Sequence, residues 1–134
     1  MTELLYLSDA YAKTFDTRVK TAFDDQVALD CTAFFPGGGG QPYDFGSLVS
    51  DLKTWRVIKV RKDDTDIWHT VEGDGTPDVG CTVLGEIDWQ RRYQIMRTHT
   101  AMHILSAVIW RDYRASVTGG NMSALKGRMA FEFD

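Results

Sequence analysis

Tyr93-Gln94-Ile95-Met96-Arg97-Thr98-His99-Thr100-Ala101-Met102-His103-Ile104-Leu105-Ser106-Ala107-Val108-Ile109-Trp110-Arg111-Asp112-Tyr113 is the long stretch of this chain that carries a helical period. Met96, His99, Met102, His103, Ser106 and Ile109 or Trp110 recur at three- and four-residue intervals, as on one face of an amphipathic helix. Everything before it reads differently. Residues 14–22, 26–29, 54–60, 67–71 and 81–87 are short β-type segments separated by the turn clusters Asp24-Asp25, Asp63-Asp64 and Glu72-Gly73-Asp74-Gly75, a spacing that predicts a small antiparallel barrel or sandwich. Pro77 bars regular strand pairing at its own position. Beyond the helix, Gly119-Gly120 is expected to end the helical region. Residues 128–133, Arg-Met-Ala-Phe-Glu-Phe, then alternate in the manner of a strand that the end of the chain interrupts. The expectation is an α+β chain, with a β-barrel lobe over residues 1–90 and the start of an α/β lobe over residues 91–134, the two joined closely near residues 88–92.

Composition narrows the function classes. With 134 residues, 43% hydrophobic and 25% charged, the chain suits one compact globular domain rather than a disordered or fibrous one. The apolar run at residues 101–110 is broken by His103 and Ser106 and is well short of the roughly 20 residues a membrane span needs. The first ten residues include Glu3 and Asp9 and lack the pattern of a secretory signal, so a cytoplasmic location without membrane partners is expected. In that compartment Cys31 and Cys81 are expected to be reduced. The net charge of −4 argues against indiscriminate nucleic-acid binding, but the charge is uneven: residues 1–85 hold 8 basic and 14 acidic side chains, residues 86–134 hold 7 and 5. A phosphate-facing surface therefore belongs to the second part, with Arg91, Arg92, Arg97, Arg111 and Arg114 as candidates. For each of them singly, a solvated helix surface is an equally good reading.

Two segments carry candidate chemistry. Leu29-Asp30-Cys31-Thr32-Ala33-Phe34-Phe35-Pro36 runs into Gly37-Gly38-Gly39-Gly40 and then Gln41-Pro42-Tyr43-Asp44-Phe45-Gly46. Four successive glycines cost backbone entropy and are useful where φ must be positive or a backbone must approach something closely. They serve either a tight connector or a substrate cradle in which backbone N–H groups of Gly38, Gly39 and Gly40 meet phosphate or ester oxygens, with Gln41 and Asp44 beside them. No Gly-Lys-Ser/Thr follows, and no strand–helix fingerprint surrounds the run, so nucleotide hydrolysis of the familiar loop types is disfavoured. In the second segment, His99 and His103 stand one helical turn apart, either as a pair of half-buried helix histidines with no metal or close enough to share a metal ion, for which zinc (Zn2+) is the natural choice. The residue after His99 is Thr100, not the glutamate of the zinc-protease helix motif, so peptide hydrolysis of that kind is unsupported. Two histidines do not complete a zinc site. Cys31, Cys81 and His69 are further possibilities within the chain, though nothing in their spacing marks them as partners.

Taken together and in this order, the segments at 32–46 and 97–105 resemble the two N-terminal signatures of the alanyl-tRNA synthetase editing domain and its free-standing AlaX-type relatives. In that family a Leu-Asp-x-Thr-x-Phe-aromatic stretch leads into Gly-Gly-Gln-x-x-Asp-x-Gly, and His-x-x-x-His follows about fifty residues later. Thr118-Gly119-Gly120-Asn121 and Phe131-Glu132-Phe133-Asp134 resemble its later turn and strand, so the likeness covers most of the chain. The resemblance implies a β-barrel lobe packed on an α/β lobe and hydrolysis of the ester linking a wrong amino acid, serine or glycine, to alanine tRNA. It makes His99 and His103 half of a zinc site whose other half is a downstream Cys-x-x-x-His, beyond Asp134. It makes Thr32, otherwise an ordinary strand threonine, the candidate reader of a serine hydroxyl, while Gln41 and Asp44 either position substrate or fix the glycine loop. The leading expectation is a deacylase acting in trans, its first-lobe loop and helix facing a shared cleft. The rivals are a non-catalytic tRNA-binding module with the same fold, and a structural zinc domain completed by Cys31 or Cys81.

Overall fold

The computed structural model of the protein describes residues 1–51, 53–123 and 125–132. The chain divides into two compact units, one formed by Met1–Gly37 with Tyr43–Trp89, the other by Gly38–Pro42 with Gln90–Asp134. The glycine-rich turn groups with the helical unit.

The first unit opens with β1 (Glu3–Leu4) and a single helical turn, α1 (Leu5–Ser8). Six strands then close into a barrel: β2 (Thr14–Phe23), β3 (Gln26–Leu29), β5 (Gly46–Val49), β6 (Thr54–Lys62), β7 (Ile67–Glu72) and β8 (Thr82–Ile87), in the order β2-β3-β7-β6-β5-β8. Each neighbouring pair is antiparallel. β4 (Cys31–Thr32) lies outside that ring and pairs in parallel with β1. Alternation is the cause of the inward face. In β2, Phe15, Thr17 and Val19 are buried between exposed neighbours, and in β6 Trp55, Val57 and Val60 play the same part. Phe34, Leu29, Leu48, Ile67 and Val83 complete a core in which each fully buried aliphatic or aromatic side chain contributes about 1.5–3 kcal/mol. Register shifts between Val19 and Thr21 and between Val57 and Lys59 add the local bend that closing a small sheet requires.

The turns follow the chemistry read from the sequence. Asp24 takes φ 52° in the two-residue link between β2 and β3. The Asp63 carboxylate accepts from the backbone N–H groups of Thr65 (3.0 Å) and Asp66 (2.8 Å) and from the Trp68 indole (2.6 Å), and these bonds hold its pKa down at about 2. Strand β5 was not anticipated. Gly46 begins it because a Cβ there would overlap the carbonyl oxygen of Glu86 and the Phe34 ring.

In the second unit α2 (Trp89–Tyr113) is followed by a hairpin of β9 (Ser116–Ser123) and β10 (Lys126–Glu132). The helix ends at Arg114, whose φ of 55° leaves helical geometry while its N–H still bonds to the Trp110 carbonyl at 2.9 Å. The Gly119-Gly120 pair is therefore not the stop signal expected of it; both glycines lie within β9. Gly127 lets the hairpin approach α2, since a Cβ there would meet Met102 and the Thr98 methyl, while a Cβ on Gly120 would crowd the Arg128 carbonyl within the hairpin. Phe133 and Asp134, part of the expected final strand, lie outside the described residues. No helix among the described residues is long and apolar enough to cross a membrane.

Candidate metal centre

The i, i+4 spacing of His99 and His103 on α2 does what helical geometry requires: it stacks the two imidazoles, 4.7 Å between centroids and 21° between planes. Their Nε2 atoms lie 2.9 Å apart. One of the two must donate and the other accept, because a neutral imidazole carries a single N–H. The Nδ1 of His99 faces the side-chain carbonyl oxygen of Gln41 at 3.0 Å, fifty-eight residues away in sequence.

Gln41 reaches that position through the glycine run. The N–H of Gly38 bonds to the Gln41 carbonyl and the N–H of Gln41 to the Gly38 carbonyl, each at 3.0 Å, which closes a two-residue turn. Gly39 and Gly40, its central residues, take φ of 60° and 83°, positive at both positions as a type I′ turn demands. The Gly40 carbonyl accepts from the Met122 N–H at 3.2 Å and so ties the turn to β9. Of the three N–H groups of the proposed phosphate cradle, that of Gly38 is thus already committed within the turn.

The histidines, Gly39, Gly40 and Met122 line a cavity of about 450 Å³ within this unit. Tetrahedral zinc with bonds of about 2.0–2.1 Å would set two ligating nitrogens about 3.3 Å apart, so the pair fits two coordination positions after opening by about 0.4 Å. Among the described residues, no group of three or more histidine, cysteine or acidic side chains is placed to hold a metal. His69 is excluded as a ligand by its own environment: it is fully buried in the barrel, with Nδ1 on the Val27 carbonyl (3.0 Å) and Nε2 on Thr32 (2.9 Å). Cys31 and Cys81 are free thiols of the barrel unit, whereas His99 and His103 belong to the helical unit.

Comparison with known proteins bears on what this arrangement serves. Residues 4–91 match the family model described as tRNA synthetases class II (A). The whole chain aligns at 41% identity with the alanyl-tRNA editing protein AlaX-M of Saccharolobus solfataricus and with that of Methanosarcina barkeri, covering 58% of each. Over 82% of its length it is 46% identical to the alanine–tRNA ligase of Pyrococcus furiosus, where it covers 12%. The chain belongs to the alanyl-tRNA synthetase editing family. It spans a little over half the length of the AlaX-M proteins it matches.

Within this editing-family chain the remaining candidates separate by burial. Thr32 is wholly buried. Because the Val27 carbonyl can only accept, His69 carries its proton on Nδ1, so the Thr32 hydroxyl donates to Nε2 and accepts from the Phe34 N–H at 3.1 Å. One lone pair of that hydroxyl is left for anything else. Asp44, 1% exposed, accepts from the Phe35 N–H at 2.8 Å and donates its own N–H to the Phe35 carbonyl at 3.0 Å. These bonds fit the second of its two expected roles, bracing the loop from 35 to 44. The arginines need the same sorting. Arg92 is 3% exposed and is removed from any phosphate-facing surface. Arg111 is exposed but paired with Asp112 at 2.8 Å, Arg114 sits over the Trp110 ring at 5.7 Å, Arg97 is exposed, and Arg91 is half-buried. The sequence reading missed the His69–Thr32 pair as a unit, and no local signal joins two residues thirty-seven apart.

Proposed function

We propose that this chain provides the barrel and the histidine half of a zinc-dependent aminoacyl-tRNA deacylase, which removes serine or glycine wrongly esterified to alanine tRNA and acts in trans. The observation that carries this reading is the convergence of two imidazole Nε2 atoms on one cavity, with Gln41 orienting the first of them. His99 and His103 would hold the zinc, with the other ligands coming from water, substrate or protein atoms beyond the described residues. Zinc bound there supplies an electrophile that orients or polarises the aminoacyl ester or a water. The chain's own residues set the surroundings. Gly39 and Gly40 line the same cavity as the histidines, and Arg97, with Arg111 and Arg114 at the helix end, offers positive charge to tRNA phosphates. Thr32, its proton held by His69, would meet a serine hydroxyl only as an acceptor, and alanine leaves that lone pair unmatched.

A second reading has one observation in its favour: with no third ligand beside the pair among the described residues, the chain alone would serve as a non-catalytic tRNA-binding module. Deacylation of Ser-tRNA(Ala), Gly-tRNA(Ala) and Ala-tRNA(Ala), measured for the chain as it stands and for a form reaching the length of the AlaX-M relatives, separates the two. Hydrolysis of the serine or glycine ester by the longer form, lost on His99→Ala, supports the enzyme. Binding of alanine tRNA by both forms without turnover supports the module.

A further inference from the structure

We infer that Gln41 is a positioning residue for His99: it fixes the proton on Nδ1 and so turns the Nε2 lone pair toward the place where a metal would sit. The inference rests on the zinc reading above for its purpose, but its geometry stands on the metal-free chain. Gln41 Oε1 is an acceptor, and the atom it faces at 3.0 Å is Nδ1 of His99, which must therefore carry the hydrogen. A neutral imidazole has no second hydrogen, so Nε2 is bare and accepts from Nε2–H of His103 across 2.9 Å. The relay has one direction: His103 donates to His99, and His99 donates to Gln41. Without the Gln41 acceptor, His99 loses the bond that holds its proton on Nδ1 and can take the Nε2–H form instead.

The consequence is an asymmetry between two residues that sequence presents as equivalent. His99 is held as a ready ligand, while His103 must move its proton from Nε2 before it can bind a cation. Histidines that ligate metals characteristically donate their other ring N–H to an oxygen, and loss of that partner typically weakens metal binding 10- to 100-fold. What holds Gln41 is equally specific. The reciprocal Gly38–Gln41 bonds and the tie from Gly40 to Met122 leave the side chain little freedom about its root. The glycine run thus has a purpose other than contacting phosphate, since its positive φ values make the turn that delivers an amide carbonyl to the helix.

The test uses the 15N-histidine-labelled chain, metal-free and above the ordinary histidine titration range, with long-range 15N–1H correlation to read the tautomer of each ring. It compares wild type with Gln41→Glu, which keeps the acceptor, and Gln41→Met, which keeps the bulk and removes it. The expected result is Nδ1–H at His99 in wild type and Gln41→Glu, and a move to Nε2–H in Gln41→Met with backbone amide spectra otherwise unchanged. Titration with zinc alone, followed on the same signals, should show binding about tenfold or more weaker in Gln41→Met and within a few-fold of wild type in Gln41→Glu. An Nε2–H tautomer at His99 in wild type, or a Gln41→Met variant that keeps both the tautomer and the affinity, overturns the inference. If the tautomer moves as expected but wild type takes up no zinc, the role of Gln41 stands and the metal reading is what fails.

Discussion

His69 should make the barrel acid-sensitive well above the pH at which its carboxylates titrate. Its imidazole is fully buried, and burial lowers its pKa from 6.5 to about 4, the bond to the Val27 carbonyl offsetting only part of the effect. The folded protein therefore holds the ring neutral where the unfolded chain protonates it, so the stabilisation is complete above about pH 6.5 and is lost as pH falls toward 4. Applied to those two pKa values, linkage gives a loss of about 2 kcal/mol between pH 7 and pH 4.5. Urea unfolding at a series of pH values measures it directly. His69→Gln offers a donor for Val27 and an acceptor for Thr32 without a titrating ring, and its stability should fall less than that of wild type across the same interval, by about that amount. Parallel curves for the two proteins would refute the argument, because the buried ring would then not be the group whose protonation opposes folding.

Other expectations follow from single contacts. Gly46→Ala drives a methyl into the Glu86 carbonyl and the Phe34 ring, which should cost about 3 kcal/mol or more in chemical denaturation and weaken the β5–β8 seam in hydrogen exchange. Thr32→Val leaves His69 Nε2 and the Phe34 N–H without their partner, a loss of about 1–3 kcal/mol. In a form with deacylase activity, the ratio of serine to alanine ester hydrolysis in that variant reports whether the remaining lone pair reads substrate. At the turn, Gly39→Asn should be nearly neutral, since φ is 60° and nothing stands near its Cβ; Gly40→Val should cost about 1–2 kcal/mol and weaken zinc binding, because φ is 83° and the Gly120 carbonyl lies 3.2 Å from the new Cβ.

The long amphipathic strands announced themselves because alternation in segments such as 14–22 and 54–60 is a local property, and Asp24-Asp25 and Asp63-Asp64 marked real turns. β5 escaped because it is four residues long and begins with a glycine, a residue strands disfavour. Its reason is a close approach to Glu86 that only the closed barrel reveals. Gly119-Gly120 misled for the related reason that glycines in a strand look like punctuation, whereas Gly120 is demanded by the nearness of the Arg128 carbonyl. The His99–His103 pair was legible from helical spacing alone. The partner of His99 was not, because Gln41 arrives through a turn whose geometry fixes its direction only in three dimensions. Burial decided the case of Arg92, a charged residue that a linear reading leaves on the surface and the fold places inside.

The most direct test of the account couples zinc stoichiometry to deacylation of Ser-tRNA(Ala) in a form spanning the length of the AlaX-M relatives, with His99→Ala and His103→Ala beside it. The account predicts bound zinc and serine-ester hydrolysis in the parent, with both lost together in either variant. Hydrolysis that persists at the parental rate after removal of both histidines, or a parent that neither binds zinc nor cleaves the ester, would contradict it.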